Sequence, residues 1–338
     1  MSDHTAEPSP MLFMETVNAY QRTAAIKAAI ELDLFTAVGE SSATAQELAH
    51  KHEATERGMR ILCDYLAIIG FLTKENGRYG LTTDSAMFLD RRSPAYVGDA
   101  TEFLLSPMLT DGFKDIAAAV RKGGTVMSEK GTIAPEHPVW VHFARAMAST
   151  MALPAQLIAR LVDATPDRKL KVLDVAAGHG MFGVAIAQHN PHAEIVALDW
   201  PHVLEVAQEN AQKAGVEDRY HTIAGSAFDV DYGSGYDLIL LTNFLHHFDP
   251  PTCEQLLQKV YAALADEGRA VTLEFVPNED RVSPPATAMF SMVMLASTPS
   301  GDAYTFTEFE RMFQRAGFSR SELYQLPPTP EQVIVSFK

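Results

Sequence analysis

Residues 173–183 read Leu-Asp-Val-Ala-Ala-Gly-His-Gly-Met-Phe-Gly, which brings a carboxylate, small side chains and closely spaced glycines into one short stretch. Small residues let the backbone approach a ligand closely, so the stretch is a candidate nucleoside-binding turn. It can be parsed in two ways. As Gly178-x-Gly180-x-x-Gly183 it matches the dinucleotide fingerprint, with Asp199 near the distance expected of an acid that holds ribose hydroxyls. Read from the acid, Asp174, Ala176, Gly178 and Gly180 fall at alternate positions, with Asp174 at the carboxyl end of a strand. A carboxylate there repels a pyrophosphate and attracts positive charge. The acid therefore favours a nucleoside with a cationic tail over a nicotinamide dinucleotide.

Farther along, His246 and His247 stand side by side, and Asp237, Asp249 and Glu274 could complete a ligand set with them. No histidine follows His247 and no recognised ligand spacing is present, so no metal site is expected. Two apolar stripes complete the inventory, Phe143, Met147 and Met151 on one helix and Met289, Phe290, Met292 and Met294 on another. Thioether and aromatic surface suits a flat or elongated organic molecule, although stripes at helical spacing also describe ordinary core. No arginine cluster is offered to a phosphorylated or polycarboxylate ligand.

A fold has to position these residues. In the second half, apolar runs at 171–177, 194–198, 220–224, 236–242 and 269–275 alternate with helical stretches such as 252–265. Pro201 fits the first turn of a helix whose Val203, Ala207, Ala211 and Ala214 share a face before Gly215 stops it. This rhythm predicts a doubly wound, Rossmann-like α/β sheet. Thr307 and Glu310 predict a capping box for a helix bearing Phe309, Met312, Phe313 and Ala316 and closed by Gly317, with strands at 321–325 and 332–337 pairing at one edge.

The first half is helical. One apolar helix is expected over 11–38, a capped helix from Thr44 and Glu47 over 45–50, and a third from Thr55 to Gly70. A hairpin of 71–74 and 78–82 turns at Glu75-Asn76-Gly77. Helix, helix, helix, hairpin is the order of a winged helix. The texture changes at 163–167, where the boundary is expected. The resulting organisation is a loose tail over 1–10, a winged-helix domain over 11–95, a helical connector contributing to the pocket over 96–165, and the sheet domain over 166–338.

Several local motifs occur together in order, and on them the chain resembles the plant-type small-molecule O-methyltransferases and their bacterial relatives, including polyketide and pigment methylating enzymes. Spacing from Asp174 is similar to that family's S-adenosylmethionine loop. Asp199-Trp200-Pro201-His202-Val203 looks like its Asp-Leu-Pro-His-Val, in which the acid holds the ribose. Gly225-Ser226-Ala227-Phe228 resembles its Gly-Asp-Met-Phe beside the adenine, and Leu245-His246-His247-Phe248 its segment with a catalytic histidine. Glu274 falls where the family has a glutamate next to that histidine, and Ala316-Gly317-Phe318 repeats its closing turn.

The resemblance implies S-adenosylmethionine held by Asp174, Ala176, Gly178, Gly180, Asp199, Trp200, Ser226, Ala227, Phe228 and Asn243. It implies His246 as general base with Glu274 bracing it, and an acceptor pocket lined by Phe143, Met147, Met289, Phe290 and Met294. There are departures: Ser226 replaces an acid, Thr242 a lysine, His247 and Phe248 an Asp and a Trp, and Ala303 lies where a second catalytic glutamate is expected. The expected reaction is O-methylation of a small, largely apolar phenol or enol. Carbon methylation is the alternative in chemistry, motivated by Ala303 and the paired histidines, and a noncatalytic ligand-sensing regulator is the alternative of another class.

Composition narrows the field further. The chain has 338 residues, 47% apolar and 21% charged, a globular mix long enough for two units. Its net charge of -16 repels phosphate backbones, and Glu56, Arg57, Arg60 and Asp64 give the would-be recognition helix no positive excess, so no nucleic-acid partner is expected. A second subunit covering the 11–38 helix would explain its apolar circumference, which points to a homodimer. Two scattered cysteines, no apolar run long enough to cross a bilayer, and no basic-then-apolar leader make a soluble cytoplasmic protein the expectation.

Overall fold

The computed structural model describes residues 8–39, 41–162 and 168–338. Most of the expected tail and the expected boundary at 163–167 lie outside them. The chain divides into two compact units, one ending at Thr101 and the other beginning at Glu102. The break falls earlier than the change in sequence texture because the long helix before 163 packs on helices of the sheet unit.

In the first unit the expected single helix over 11–38 is three: α1 Met11–Asn18, α2 Tyr20–Glu31 and α3 Leu34–Val38. Asp33 breaks the last junction by taking a left-handed φ of 49°, a conformation short polar side chains tolerate. β1 (Ala43–Thr44) leads into α4 (Ala45–Lys51), where the expected Thr44 and Glu47 capping box forms. α5 (Glu56–Ile68) is followed by the hairpin β2 (Leu72–Glu75) and β3 (Arg78–Leu81), then α6 (Thr83–Phe88). Asn76 and Gly77, with φ of 49° and 76°, supply the paired positive angles of a tight hairpin turn. The three strands lie in the order β1-β3-β2 over a core that includes Leu34, Phe35, Leu48, Cys63, Leu66 and Tyr79.

Helix α7 (Ala100–Leu104) spans the division. The second unit continues with α8 (Pro107–Thr110), α9 (Ile116–Lys122), α10 (Val139–Leu161), β4 (Leu170–Val175), α11 (Met181–His189), β5 (Ala193–Asp199), α12 (Pro201–Lys213) and β6 (Tyr220–Ala224). It closes with β7 (Tyr236–Thr242), α13 (Pro250–Ala263), β8 (Leu264–Glu274), α14 (Pro285–Ala288), α15 (Phe290–Ser297), α16 (Phe306–Ala316), β9 (Arg320–Gln325) and β10 (Gln332–Phe337). The seven-stranded sheet has the order β6-β5-β4-β7-β8-β10-β9. Its first five strands run parallel, and β10 is antiparallel to both neighbours.

Alternation along each strand divides the core. Val172, Leu238, Leu240 and Val271 face a layer containing α10, α11 and α12, whereas Leu173, Val175, Ile239 and Leu241 face α13 and α16. With both faces covered, these strands read as near-continuous apolar runs. The cap of α16 is Thr305 with Glu308, not Thr307 with Glu310. Both pairs have the same spacing, but the helix opens at Phe306, so only the earlier threonine has orphan N–H groups to receive. Among the described residues no helix is long and apolar enough to cross a membrane.

Candidate active site

Chain order reverses between β4 and β7, so a crevice opens at their carboxyl ends, the place where open α/β sheets bind ligands. Three residues of the loop leaving β4 have left-handed φ: Ala176 at 54°, Gly178 at 56° and Gly180 at 71°. Only glycine takes such angles freely, so Ala176 carries strain of about 1 kcal/mol. Close packing also fixes the glycines. A Cβ on Gly180 would collide with the Tyr220 hydroxyl, and one on Gly183 would lie 2.7 Å from Ile195 Cγ2.

Asp174 is fully buried; its Oδ2 accepts the Gly183 N–H at 3.2 Å, while Oδ1 has no partner. Asp199 accepts the Gly178 N–H at 2.8 Å and the Trp200 N–H at 2.7 Å, which ties the glycine loop to the start of α12. Burial pushes the Asp174 carboxyl up to about 8, the Gly183 N–H opposing and Asp199 adding repulsion. Burial likewise pushes Asp199 up to about 6 against its two N–H donors. A site that strains to hold negative charge is one that a cation relieves and a pyrophosphate worsens.

The 225–228 segment sits beside Asp199, with the Gly225 N–H donating to the Asp199 carbonyl at 2.9 Å. Ser226 Oγ accepts the Phe228 N–H, Ala227 is buried, and Phe228 meets Phe248 edge-on. A residue the sequence did not flag holds this segment. Lys259 Nζ donates to the carbonyls of Ala227, Phe228 and Val230 at 3.0, 2.6 and 3.0 Å.

On the other side of the crevice, His246 lies in a 3-10 turn, Leu245–His247, just beyond β7. Its Nδ1 is 2.5 Å from Glu274 Oε2, and both side chains are buried. The second oxygen, Oε1, accepts the N–H groups of Phe244, Leu245 and His246 at 3.0, 2.8 and 3.4 Å. One carboxylate thus fixes both the turn and the imidazole. Cys253 Sγ donates to the Leu245 carbonyl and the Tyr304 hydroxyl to that of Phe248, at 3.2 and 2.6 Å. His247 is buried with its Nδ1 unpartnered, and burial together with neighbouring His246 depresses its pKa, so it stays neutral.

Phe290 meets the His246 ring edge-on at 4.8 Å and stacks on Phe275 at 4.0 Å. Phe143 stacks on His179 at 5.9 Å and covers Gly178, with Phe143 Cε1 3.5 Å from where a Cβ would sit there. His179 is buried and held neutral, its pKa pushed down to about 4. The sequence pattern does not single it out either, since it is the unspecified position of Gly178-x-Gly180. Met147 is half-buried and Met294 buried. Met289 is not drawn into this group. It stands 66% exposed where α14 meets α15, on the same outward side as Met292 at 47%. Ala303 is fully buried, so no carboxylate arises from that position.

Family models match most of the chain: an O-methyltransferase domain over residues 113–319 and an O-methyltransferase dimerisation domain over 14–91. The chain belongs to the O-methyltransferase family. The crystal structure of a candidate O-methyltransferase from Nostoc punctiforme is 64% identical, with a TM-score of 0.95 over 98% of this chain and 100% of that one. A 3-hydroxy-5-methyl-1-naphthoate 3-O-methyltransferase from Streptomyces sahachiroi is 28% identical over 92% of this chain and 90% of its own. An L-tyrosine C(3)-methyltransferase from Streptomyces lavendulae is 26% identical over 93% and 88%. Enzymes of this family take their methyl group from S-adenosylmethionine, and the residues present fit that group. Two buried oxygens without donors, Asp174 Oδ1 and Asn243 Oδ1, stand at the carboxyl ends of the two strands that flank the crevice.

Proposed function

We propose that this methyltransferase places the S-adenosylmethionine methyl group on a hydroxyl of a small, flat, largely apolar phenol or enol, with His246 as general base. The supporting observation is the buried His246–Glu274 contact at 2.5 Å. With Nδ1–H donated to Glu274, Nε2 carries the lone pair. The bound donor supplies an electrophilic methyl on a sulfonium. Nε2 takes the proton from the acceptor hydroxyl as its oxygen forms the new C–O bond and the C–S bond breaks, the neutral thioether leaving, and Glu274 stabilises the imidazolium that results. Asp174 faces the cationic amino-acid end of the donor, Asp199 the ribose hydroxyls, and Trp200 with 225–228 the adenine.

Phe143, Met147, Phe290 and Met294 line the acceptor side. Their surface suits an aromatic body, and nothing among them would satisfy a phosphate. The dimerisation-domain match and the exposed apolar side chains of α1 support a homodimer.

His246→Ala is expected to bind S-adenosylmethionine as the wild type does and to lose turnover about a hundredfold or more. Calorimetry alongside S-adenosylhomocysteine formation on a phenol, enol and isoprenoid library checks both; unchanged turnover removes His246 as base. Carbon methylation is the second reading, supported by the C-methylating relative from Streptomyces lavendulae. An acid-stable, carbon-bound label from labelled donor would establish it in place of oxygen transfer.

A further inference from the structure

Asn243 combines three features found together at no other described residue of the crevice. It directly follows β7 in a left-handed conformation, φ 53°. Its Nδ2 points to the Met151 thioether of α10, at 3.8 Å. Its Oδ1 is buried without a donor. Backbone hydrogen bonds hold the strained conformation: the Asn243 N–H donates to the Leu273 carbonyl at 2.8 Å, and the next N–H, of Phe244, goes to Glu274. A buried carbonyl oxygen without a donor is left with its desolvation uncompensated, and positions of this kind gather where a ligand completes them.

The chemistry of that ligand depends on where the oxygen stands. Asp174 Oδ1, also unpartnered, is on β4, and Asn243 directly follows the adjacent strand β7, so the two acceptors flank the crevice. A carboxylate suits an ammonium, which has N–H groups to donate. A neutral amide oxygen suits a cation that has none, meeting it through its dipole and through polarised C–H groups. Sequence position assigns the ends. Asn243 is three residues before His246, and the methyl has to be delivered next to the oxygen whose proton His246 takes, so the sulfonium belongs on the β7 side.

Resting on the donor-site reading, we infer that Asn243 Oδ1, aimed by the Met151 sulfur, faces the sulfonium and sets the preference for charged donor over neutral product. Product release is then favoured by the site itself, because methyl transfer removes the charge this oxygen meets.

The test compares S-adenosylmethionine with S-adenosylhomocysteine by titration calorimetry on the full chain. The two share the nucleoside and the amino-acid end and differ in charge at sulfur. Asn243→Gly keeps the left-handed backbone without strain and removes the oxygen; it should raise the ratio of donor Kd to product Kd about tenfold. Asn243→Asp keeps an oxygen and adds charge, so its ratio should fall below the wild-type value. Met151→Leu removes the acceptor that aims the amide and should raise the ratio about threefold. Equal weakening of both ligands, or an unchanged ratio in Asn243→Gly, overturns the inference. Wild-type protein that binds neither ligand overturns the donor-site reading itself.

Discussion

Two buried acids of the crevice have opposite surroundings, and their chemistry differs accordingly. Glu274 is surrounded by donors: three backbone N–H groups and an imidazole fill its two oxygens. Asp174 has one donor, and burial with Asp199 nearby raises its carboxyl from 3.8 to about 8. The folded state therefore favours the protonated form. Its contribution to stability is complete below pH 3.8 and is lost as pH climbs towards 8. Ligand-free protein should melt at a lower temperature at pH 8.5 than at pH 6, and Asp174→Asn should flatten that slope. The same linkage makes donor binding near pH 7 release a proton, because the cationic end selects the carboxylate. Calorimetry in buffers of different ionisation enthalpy would detect the release, and Asp174→Asn should abolish it. Equal binding heats in all buffers for the wild type would contradict the assignment.

At the level of elements, the crevice depends on short pieces held from outside, and these were the least legible in the sequence. Strand ends and the glycine loop could be read because period and turn residues act locally: β6 and β7 lie where their apolar runs place them, and Pro201 opens α12 as its fixed φ dictates. Contacts made at long range leave no local signal. Lys259 reads as one more helical lysine, yet its ammonium gathers three carbonyls from a segment about 30 residues earlier. The αL turn of Asn243 is likewise set by long-range contacts, its N–H bonding the Leu273 carbonyl, and the α16 cap was ambiguous because two threonines have a glutamate at the same spacing. Lys259→Met should weaken S-adenosylhomocysteine binding about tenfold while leaving kcat at saturating donor within about twofold, since it frees three carbonyls of the adenine-side segment and leaves the His246 turn intact. Gly301 gives the reverse pattern. A Cβ there would collide with the His246 carbonyl oxygen. Gly301→Ala has to push the 3-10 turn away, so kcat should fall at least tenfold with donor Kd unchanged.

For the whole molecule, the question is what covers the apolar side chains of α1. None of its residues is buried: Met11, Leu12 and Phe13 are 57%, 77% and 67% exposed, and Tyr20 at the start of α2 is 67% exposed. A contiguous apolar face of this kind is costly in water and marks an interaction surface. Net charge of -16 argues against an acidic partner and gives copies of the chain a mutual repulsion that only substantial apolar burial can overcome. The dimerisation-domain match begins at residue 14, so exposed Met14, Val17 and Tyr20 fall inside it and Met11, Leu12 and Phe13 directly precede it, which supports the proposal of a second copy as the occupant. Replacing Leu12 and Phe13 together by glutamate adds two charges per copy at the surface to be buried, and desolvating them costs more than the apolar contact returns. The doubly substituted protein should sediment as a monomer at concentrations where the wild type is a dimer, with its helical circular dichroism preserved because neither side chain belongs to the Leu34–Phe35–Leu66 core. A dimer of unchanged stability would place the interface on another face and leave the exposure of α1 to a different partner.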